Sequence, residues 1–198
     1  GQRKAERDMA NTYRNVAVGA VANAVTTSPD AIDEVFAEAA NAALHDAVDL
    51  VRVVAQCHQA AAAIVVEGDW STVRKYFSLS EKYAAWSGYA APATGYGTHG
   101  WLLRMPQIVR LTQAELEAHP EWKGFGREAA SHPPMRGWMA SPITDRNGMV
   151  WGLMQASDRL TGDFTADDEV AFVSLCRLLS QSLEALWDLR NVRKAGRP

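Results

Sequence analysis

Hydrophobic positions at helical spacing predict a helix at the start of the chain. Residues 3–27 are rich in alanine, which favours helix, and they carry a stripe of four apolar side chains: Met9, Tyr13, Val16 and Ala20. Ser28-Pro29-Asp30 then ends this helix, because Ser caps a following helix, Pro fits its first turn and Asp suits the positive end of its dipole. The helix has little of its own to pack against, so we expect it to lie outside the domain core.

The next segments predict a helix followed by two strands. The second helix begins at about Asp30 and continues or restarts towards residue 54, with these side chains facing inward: Ile32, Val35, Phe36, Ala39, Val48, Val51 and Val54. The short apolar run 60–66 predicts the first core strand. Glu67-Gly68-Asp69 favours a turn into a second strand at 73–79. A short helix is predicted further on, at 113–118.

The most informative stretch is 136–184, where local chemistry predicts a hairpin and then a capped helix. Asn147-Gly148 lies between two apolar runs, and both residues tolerate the positive φ angles of a tight hairpin turn. Thr165 and Asp168 resemble a capping box, so a helix should begin at about Ala166. Its inward stripe is Phe172, Cys176, Leu179, Leu183 and Leu186. Three further leucines, Leu175, Leu178 and Leu189, make the stripe wider than one sheet face needs, which indicates a second packing partner.

The order of these features resembles that of a GAF domain. Residues 137–184 match its C-terminal half: a strand ending in Pro142, a turn with Gly148, a strand ending at Ser157-Asp158, a Phe164-Thr165 start and a final helix. With the segments upstream, the resemblance covers roughly residues 30–190 and is to the type of GAF domain found in bacterial sensor histidine kinases and related signalling regulators. It implies an α+β fold with a central antiparallel sheet of five or six strands, terminal helices on one face and long loops on the other.

The resemblance also divides the chain into three parts. We expect a signalling or dimerisation helix at 1–28, the GAF domain with its C-terminal helix at 29–190, and a tail or linker at 191–198 that leads to an effector domain. The chain does not start with Met, so we expect a fragment or a processed protein.

Composition narrows the class of protein. A chain of 198 residues with 47% hydrophobic and 22% charged residues is ordinary for one globular domain. A net charge of −3 argues against direct nucleic-acid binding, and no apolar run approaches the roughly 20 residues that span a bilayer. The two cysteines, Cys57 and Cys176, are too few for a disulfide framework and favour a reducing cytoplasm.

Aromatic and basic residues concentrate in the predicted loops, which favours a small-molecule pocket there. The candidate ligand-binding residues are Trp86, Trp101, Arg110, His119, Trp122, His132, Arg136 and Trp138. The alternative for any one tryptophan is that it anchors a loop on the sheet.

Metal and cofactor chemistry finds little support in the sequence. His119 and His132 flank one loop, but no His or Cys pair has the spacing of a metal or haem site. Bilin-binding GAF domains attach their chromophore through a Cys-His pair placed near the position of residues 115–130, where this chain has no cysteine. Cys57-His58 stands well before that region, so we expect no covalent bilin.

The function implied by the resemblance is that of a cytoplasmic sensor domain, with no catalytic activity in this chain. A ligand or partner would change the relative pose of the terminal helices, and a homodimer through the N- and C-terminal helices would carry the change to an effector. Two alternatives stay open. One is a ligand-free GAF module for dimerisation or docking. The other is a small redox enzyme on the same fold, for which both cysteines lie poorly placed.

Overall fold

A computed structural model describes residues 34–66, 69–86, 102, 107–122, 124 and 134–195. The helix predicted at 3–27 and the end of the tail lie outside these residues. The elements in chain order are α1 (Glu34–Val54), β1 (Cys57–Val66), β2 (Asp69–Leu79), a 3₁₀ segment (Glu81–Trp86), β3 (Val109–Leu111), α2 (Gln113–Ala118), β4 (Trp138–Thr144), β5 (Val150–Arg159) and α3 (Ala166–Ala195).

The described strands form one antiparallel sheet in the order β2-β1-β5-β4-β3. The predicted α+β fold with a central antiparallel sheet of five or six strands is therefore confirmed, with five strands among the described residues. Gly152 allows the central strands β1 and β5 to approach, because a Cβ at this position would lie 1.9 Å from the carbonyl oxygen of Ala63. Any larger residue there would push the two strands apart.

The β4–β5 hairpin is closed by a hydrogen-bonded turn. The backbone N–H of Gly148 donates to the Asp145 carbonyl, and Gly148 has a φ of 80°. The Asp145 carboxylate also accepts the backbone N–H groups of Asn147 and Met149, both at 2.8 Å. Local turn chemistry thus fixes the connection that the Asn-Gly pair predicted.

One side of the sheet, here called the helix face, is covered by α1 and α3. Phe36 near the start of α1 packs edge-on against Trp151 of β5 (centroids 5.4 Å apart) and Trp187 near the end of α3 (5.6 Å). The two helices are therefore antiparallel. Ala39 and Val54, predicted to face inward, are exposed; the buried positions of α1 are Phe36, Ala40, Leu44, Ala47, Val48 and Val51.

Helix α3 begins at Ala166, as the capping box predicted. The backbone N–H of Thr165 donates to Asp168 Oδ2 (2.7 Å), and the Asp168 N–H donates to Thr165 Oγ1 (3.1 Å). The predicted stripe is buried at Phe172, Cys176, Leu179 and Leu183 and partly buried at Leu186, whereas Leu178 and Leu189 are exposed. Among the described residues, no helix combines the length and apolarity needed to cross a bilayer.

Candidate functional site

The side of the sheet opposite the helices, here called the loop face, is found from strand alternation. Successive side chains of a strand point to opposite sides. Ala60, Ala62 and Ile64 of β1 belong to the core under the helices, so Ala61 and Ala63 lie on the loop face. By the same alternation, Lys75 and Phe77 of β2 and Leu153 and Gln155 of β5 share that face.

Over β3, β4 and β5 the loop face is filled by apolar side chains. They form a second hydrophobic cluster that is separate from the core under the helices: Leu102, Val109, Leu116, Trp138, Ala140 and Leu153, with Leu111, Trp122 and Met135 packed against them. The Trp138 indole N–H donates to Gln155 Oε1 at 3.0 Å, which satisfies the one polar atom of this buried ring.

Over β1 and β2 the same face has small side chains at its centre. Ala61 is paired with Phe77 on one side and Gln155 on the other; Ala63 is paired with Lys75 and Leu153. We call these six residues the alanine floor. In each of these two rows an alanine of β1 lies between two larger side chains, so the floor is bordered by an amine, an amide and two apolar groups. Both alanines are buried, at 8% and 4% exposed.

Lys75 gives the alanine floor its charge. The side chain is partly buried, and this burial lowers the pKa of the amine from 10.5 to about 8. At neutral pH most of the amine is still protonated, but it is less well hydrated than a surface lysine, which favours interaction with an anion. Arg74, the preceding residue, lies on the opposite face and pairs with Glu38 of α1 at 2.8 Å.

One end of the loop face is closed by a buried polar network around Asp158. This residue has no exposed surface and a φ of 61°. Its Oδ2 accepts hydrogen bonds from Lys82 Nζ (2.5 Å) and the Tyr83 hydroxyl (2.8 Å), and its Oδ1 accepts the Arg136 backbone N–H (3.0 Å). Lys82 also donates to the carbonyl of Pro134. The carboxylate therefore joins the 3₁₀ segment to the start of β4 and the end of β5.

The predicted site residues are distributed over several places. Trp101 and His132 lie outside the described residues, as does the side chain of Trp86. Trp122 and Trp138 meet in the cluster that fills the β3–β5 part of the loop face.

The remaining three predicted residues contact backbone or helix ends. Arg110 donates to Glu169 Oε2 (2.7 Å) and to the Phe164 carbonyl (3.2 Å), beside the first turn of α3. His119 ends α2, and its Nδ1 accepts the Glu121 N–H at 3.1 Å. Arg136 is exposed and donates to the carbonyl of Leu160 at 3.2 Å. These three side chains are therefore not gathered around the alanine floor.

Sequence reasoning did not identify Lys75, Gln155 or Asp158. The first two are ordinary residues of strands, and only the pairing register brings them beside Ala61 and Ala63. Asp158 is recognisable in the sequence as the second residue of the Ser-Asp pair that ends the second hairpin strand. Nothing in the sequence shows what its carboxylate binds.

A second concave region lies between α3 and the outer strands. It has a volume of about 830 Å³, and its lining includes Ile108, Pro142, Arg146, Cys176, Arg177 and Glu184. Arg146 pairs there with Glu184 and with Asp188. The charge of Arg146 is therefore balanced within the wall of this groove.

Neither cysteine is placed for chemistry. Both are free and buried, and burial raises the pKa of each thiol to about 12. A thiol with so high a pKa is almost wholly protonated at neutral pH and is a poor nucleophile. The described residues contain no group of three His, Cys, Asp or Glu side chains arranged to hold a metal ion.

The sequence profile of the GAF domain matches residues 39–183, most of the chain. The chain therefore belongs to the GAF domain family. No curated protein sequence shows significant similarity to it.

Several solved structures share the fold at low sequence identity. The blue-light absorbing form of the PixJ GAF domain of Thermosynechococcus elongatus is 16% identical, with a TM-score of 0.55 over 84% of this chain and 97% of that one. The type II free methionine-R-sulfoxide reductase of Thermoplasma acidophilum is 12% identical (TM-score 0.54; 76% and 96% covered). A domain of a two-component sensor histidine kinase protein from Sinorhizobium meliloti is 13% identical (0.53; 81% and 99%). A blue-light absorbing GAF domain, a reductase and a domain of a sensor histidine kinase protein share this fold, so the fold alone does not give the function.

Proposed function

We propose that this chain is the sensory domain of a bacterial signal-transduction protein of the histidine kinase type, and that it binds a small organic acid on the alanine floor. The observation that carries the proposal is the asymmetric filling of the loop face. Trp138 and its neighbours occupy the part over β3–β5, whereas β1 contributes only the small, buried side chains of Ala61 and Ala63 beside a partly buried lysine. Apolar surface with a few convergent polar groups is the usual make-up of a ligand site.

The chemistry of the floor supports an anion with an apolar body. Lys75 would pair with a carboxylate or phosphate, and the apolar body would lie on the alanines between Phe77 and Leu153. Gln155 accepts the Trp138 N–H through Oε1, and this bond fixes the orientation of its amide beside the floor. The predicted residues Trp86, Trp101 and His132 are proposed to contribute from the loops, with Trp122 and Trp138 forming one wall.

Signal output is proposed to pass through a homodimer of α3. Large apolar side chains of α3 are exposed, with Leu178 at 59% and Val192 at 70%. Leu178, Ser182, Ala185, Leu189 and Val192 follow one another in alternating steps of four and three residues, the spacing of a coiled-coil seam. A second copy of the chain would bury this seam, here called the α3 seam, as the over-wide stripe predicted. The two buried free thiols suit a reducing cytoplasm.

Measurement of the molecular mass in solution tests the proposed homodimer. The wild-type chain should be a dimer at micromolar concentration by light scattering, and Leu189→Glu should give a monomer because it places a charge in the α3 seam. Asn191→Glu is the matched control, since Asn191 is an exposed residue of the same helix on the side away from the seam. A monomeric wild type, or equal dissociation by both variants, would contradict the dimer.

A thermal-shift screen against small carboxylates and phosphates tests the proposed ligand binding. A saturable rise in melting temperature with at least one compound is the expected result, since a ligand that binds only the folded state stabilises it. A dimer that no compound stabilises would favour the second candidate, a ligand-free dimerisation module, for which the exposed α3 seam is the supporting observation. We propose no catalytic role, because both thiols are buried and protonated.

A further inference from the structure

Two consecutive residues at the end of β5 bind opposite parts of the domain. The Asp158 carboxylate accepts hydrogen bonds from Lys82 and Tyr83 of the 3₁₀ segment. The Arg159 guanidinium donates from Nε to Asp168 Oδ2 in the first turn of α3, at 2.7 Å. Both contacts are shielded from solvent: the side chains of Arg159 and Asp168 are 15% and 11% exposed. One peptide bond therefore separates a contact on the loop face from a contact on the output helix.

The backbone between these contacts is held in a conformation that is uncommon for a residue with a side chain. Asp158 has a φ of 61°, in the left-handed region, where Asp is better tolerated than most residues. Its N–H donates to the Gly137 carbonyl (3.1 Å), and the Arg159 N–H donates to the Arg136 carbonyl (2.9 Å). Loss of the carboxylate contacts would favour a return to the extended conformation, which would redirect the Arg159 side chain.

The contact at α3 involves the carboxylate that caps this helix. Asp168 Oδ2 accepts both the Arg159 Nε–H and the Thr165 backbone N–H, each at 2.7 Å. The second of these bonds is half of the capping box that starts α3. Movement of Arg159 would therefore alter the carboxylate that caps the helix, and a weakened cap lets the first turn open more often.

We propose that Asp158 and Arg159 form a coupling joint that transmits the position of the 3₁₀ segment to the first turn of α3. Coupling of this kind requires a two-state element. A change of Asp158 from its left-handed φ of 61° to an extended backbone would supply it. The 3₁₀ segment borders the loop face, because Tyr83 also hydrogen-bonds with Gln59 of β1, which lies on the same strand face as Ala61. The identity of the input as a ligand rests on the proposed function, whereas the coupling itself is independent of any ligand.

Hydrogen exchange of the α3 amides tests the joint without a ligand. Tyr83→Phe removes one hydroxyl that bonds to Asp158 and little volume. We expect amides at 166–172 to exchange about threefold to tenfold faster in this variant than in the wild type, since loss of one hydrogen bond has an effect of this order. Ser78→Ala is the matched control: it removes the bonds of Ser78 with Arg52 and Asp49, between β2 and α1, and should leave the α3 amides unchanged.

A second variant shows whether the effect passes through Arg159. Arg159→Met should itself accelerate exchange at 166–172, and adding Tyr83→Phe to it should produce no further acceleration there. Lys82→Met replaces Tyr83→Phe if the latter folds poorly. Unchanged α3 exchange in both loop-face variants, or additive effects in the double variant, would overturn the proposal. Because no compound is added, failure of the joint is distinguishable from failure of ligand binding on the alanine floor.

Discussion

The two faces of the sheet are covered by different kinds of side chains. On the helix face, aromatic and aliphatic side chains of α1, α3 and the strands form one continuous core, with Phe36 wedged between Trp151 and Trp187. On the loop face, a smaller cluster fills the part over β3–β5, and small side chains with one lysine lie over β1 and β2. The difference indicates that the helix face contributes most of the apolar burial that stabilises the domain, and the proposed ligand site lies on the other face.

The largest expected effect is on stability, from the same truncation made on each face. Phe172 of α3 is 1% exposed, whereas Phe77 of β2 is 41% exposed. Phe172→Ala should lower the free energy of unfolding by about 4 kcal/mol, because it leaves a cavity in a closed core. Phe77→Ala should cost less than about 1 kcal/mol, since a half-exposed side chain loses little burial. Urea denaturation measures both values, and similar costs would remove the distinction between the faces.

Asp158 should give the next largest effect, because it closes one end of the loop face. Asp158→Asn keeps the tolerance for a left-handed φ but weakens the charged bonds with Lys82 and Tyr83. We expect the free energy of unfolding to fall by about 2–3 kcal/mol, the usual cost of breaking a buried charged hydrogen bond. Asp167→Asn, an exposed residue in the first turn of α3, is the control. If both variants were equally stable, the network around Asp158 would not hold that end of the face.

The carboxylate that caps α3 should make the stability of the protein depend on pH in acid. Burial alone would raise the pKa of Asp168, but hydrogen bonds from Arg159 and Thr165 outweigh it and hold the pKa below the ordinary value. A carboxyl group with a lowered pKa in the folded state contributes fully above its ordinary pKa of about 4 and loses the contribution as pH falls through the folded pKa.

Asp168→Asn should therefore cost about 1 kcal/mol at neutral pH, as loss of a cap does. Below about pH 4 the stability of the variant should fall less steeply than that of the wild type. Thermal unfolding between neutral pH and acid measures both slopes. Parallel curves throughout would mean that Asp168 is not stabilised in its charged form.

Lys75 should make the stability of the protein depend on pH in alkaline solution. Burial places its pKa at about 8, below the ordinary value of about 10.4, so the unfolded chain binds more protons between these two pH values. Wild-type stability should therefore rise over this window by more than that of Lys75→Met. Carbon NMR of the lysine side chain gives the titration midpoint directly, and a midpoint at the ordinary value would place Lys75 in open solvent.

Where local chemistry decides the structure, the sequence predicted it well. Helix α2 lies at 113–118 and α3 starts at Ala166. Each begins with a capping box, which is formed by two residues only three positions apart in the sequence. The alanine floor could not be predicted in the same way. Ala63 meets Lys75 and Leu153 only through strand register, which depends on pairing across the whole sheet. The exposed Ala39 and Val54 show the same limit, since the rotation of α1 about its axis depends on how it packs against α3 and the sheet.

Calorimetric titration of the most stabilising organic acid into a matched pair of variants tests the central claim most directly. Lys75→Met removes the amine of the alanine floor, whereas Arg74→Met removes the neighbouring cation, which lies on the helix face and pairs with Glu38. We predict that Lys75→Met weakens binding by about tenfold or more, as loss of a charged hydrogen bond does, and that Arg74→Met leaves the affinity within about twofold of wild type. Equal affinity in wild type and Lys75→Met would contradict the assignment of the ligand site to this part of the loop face.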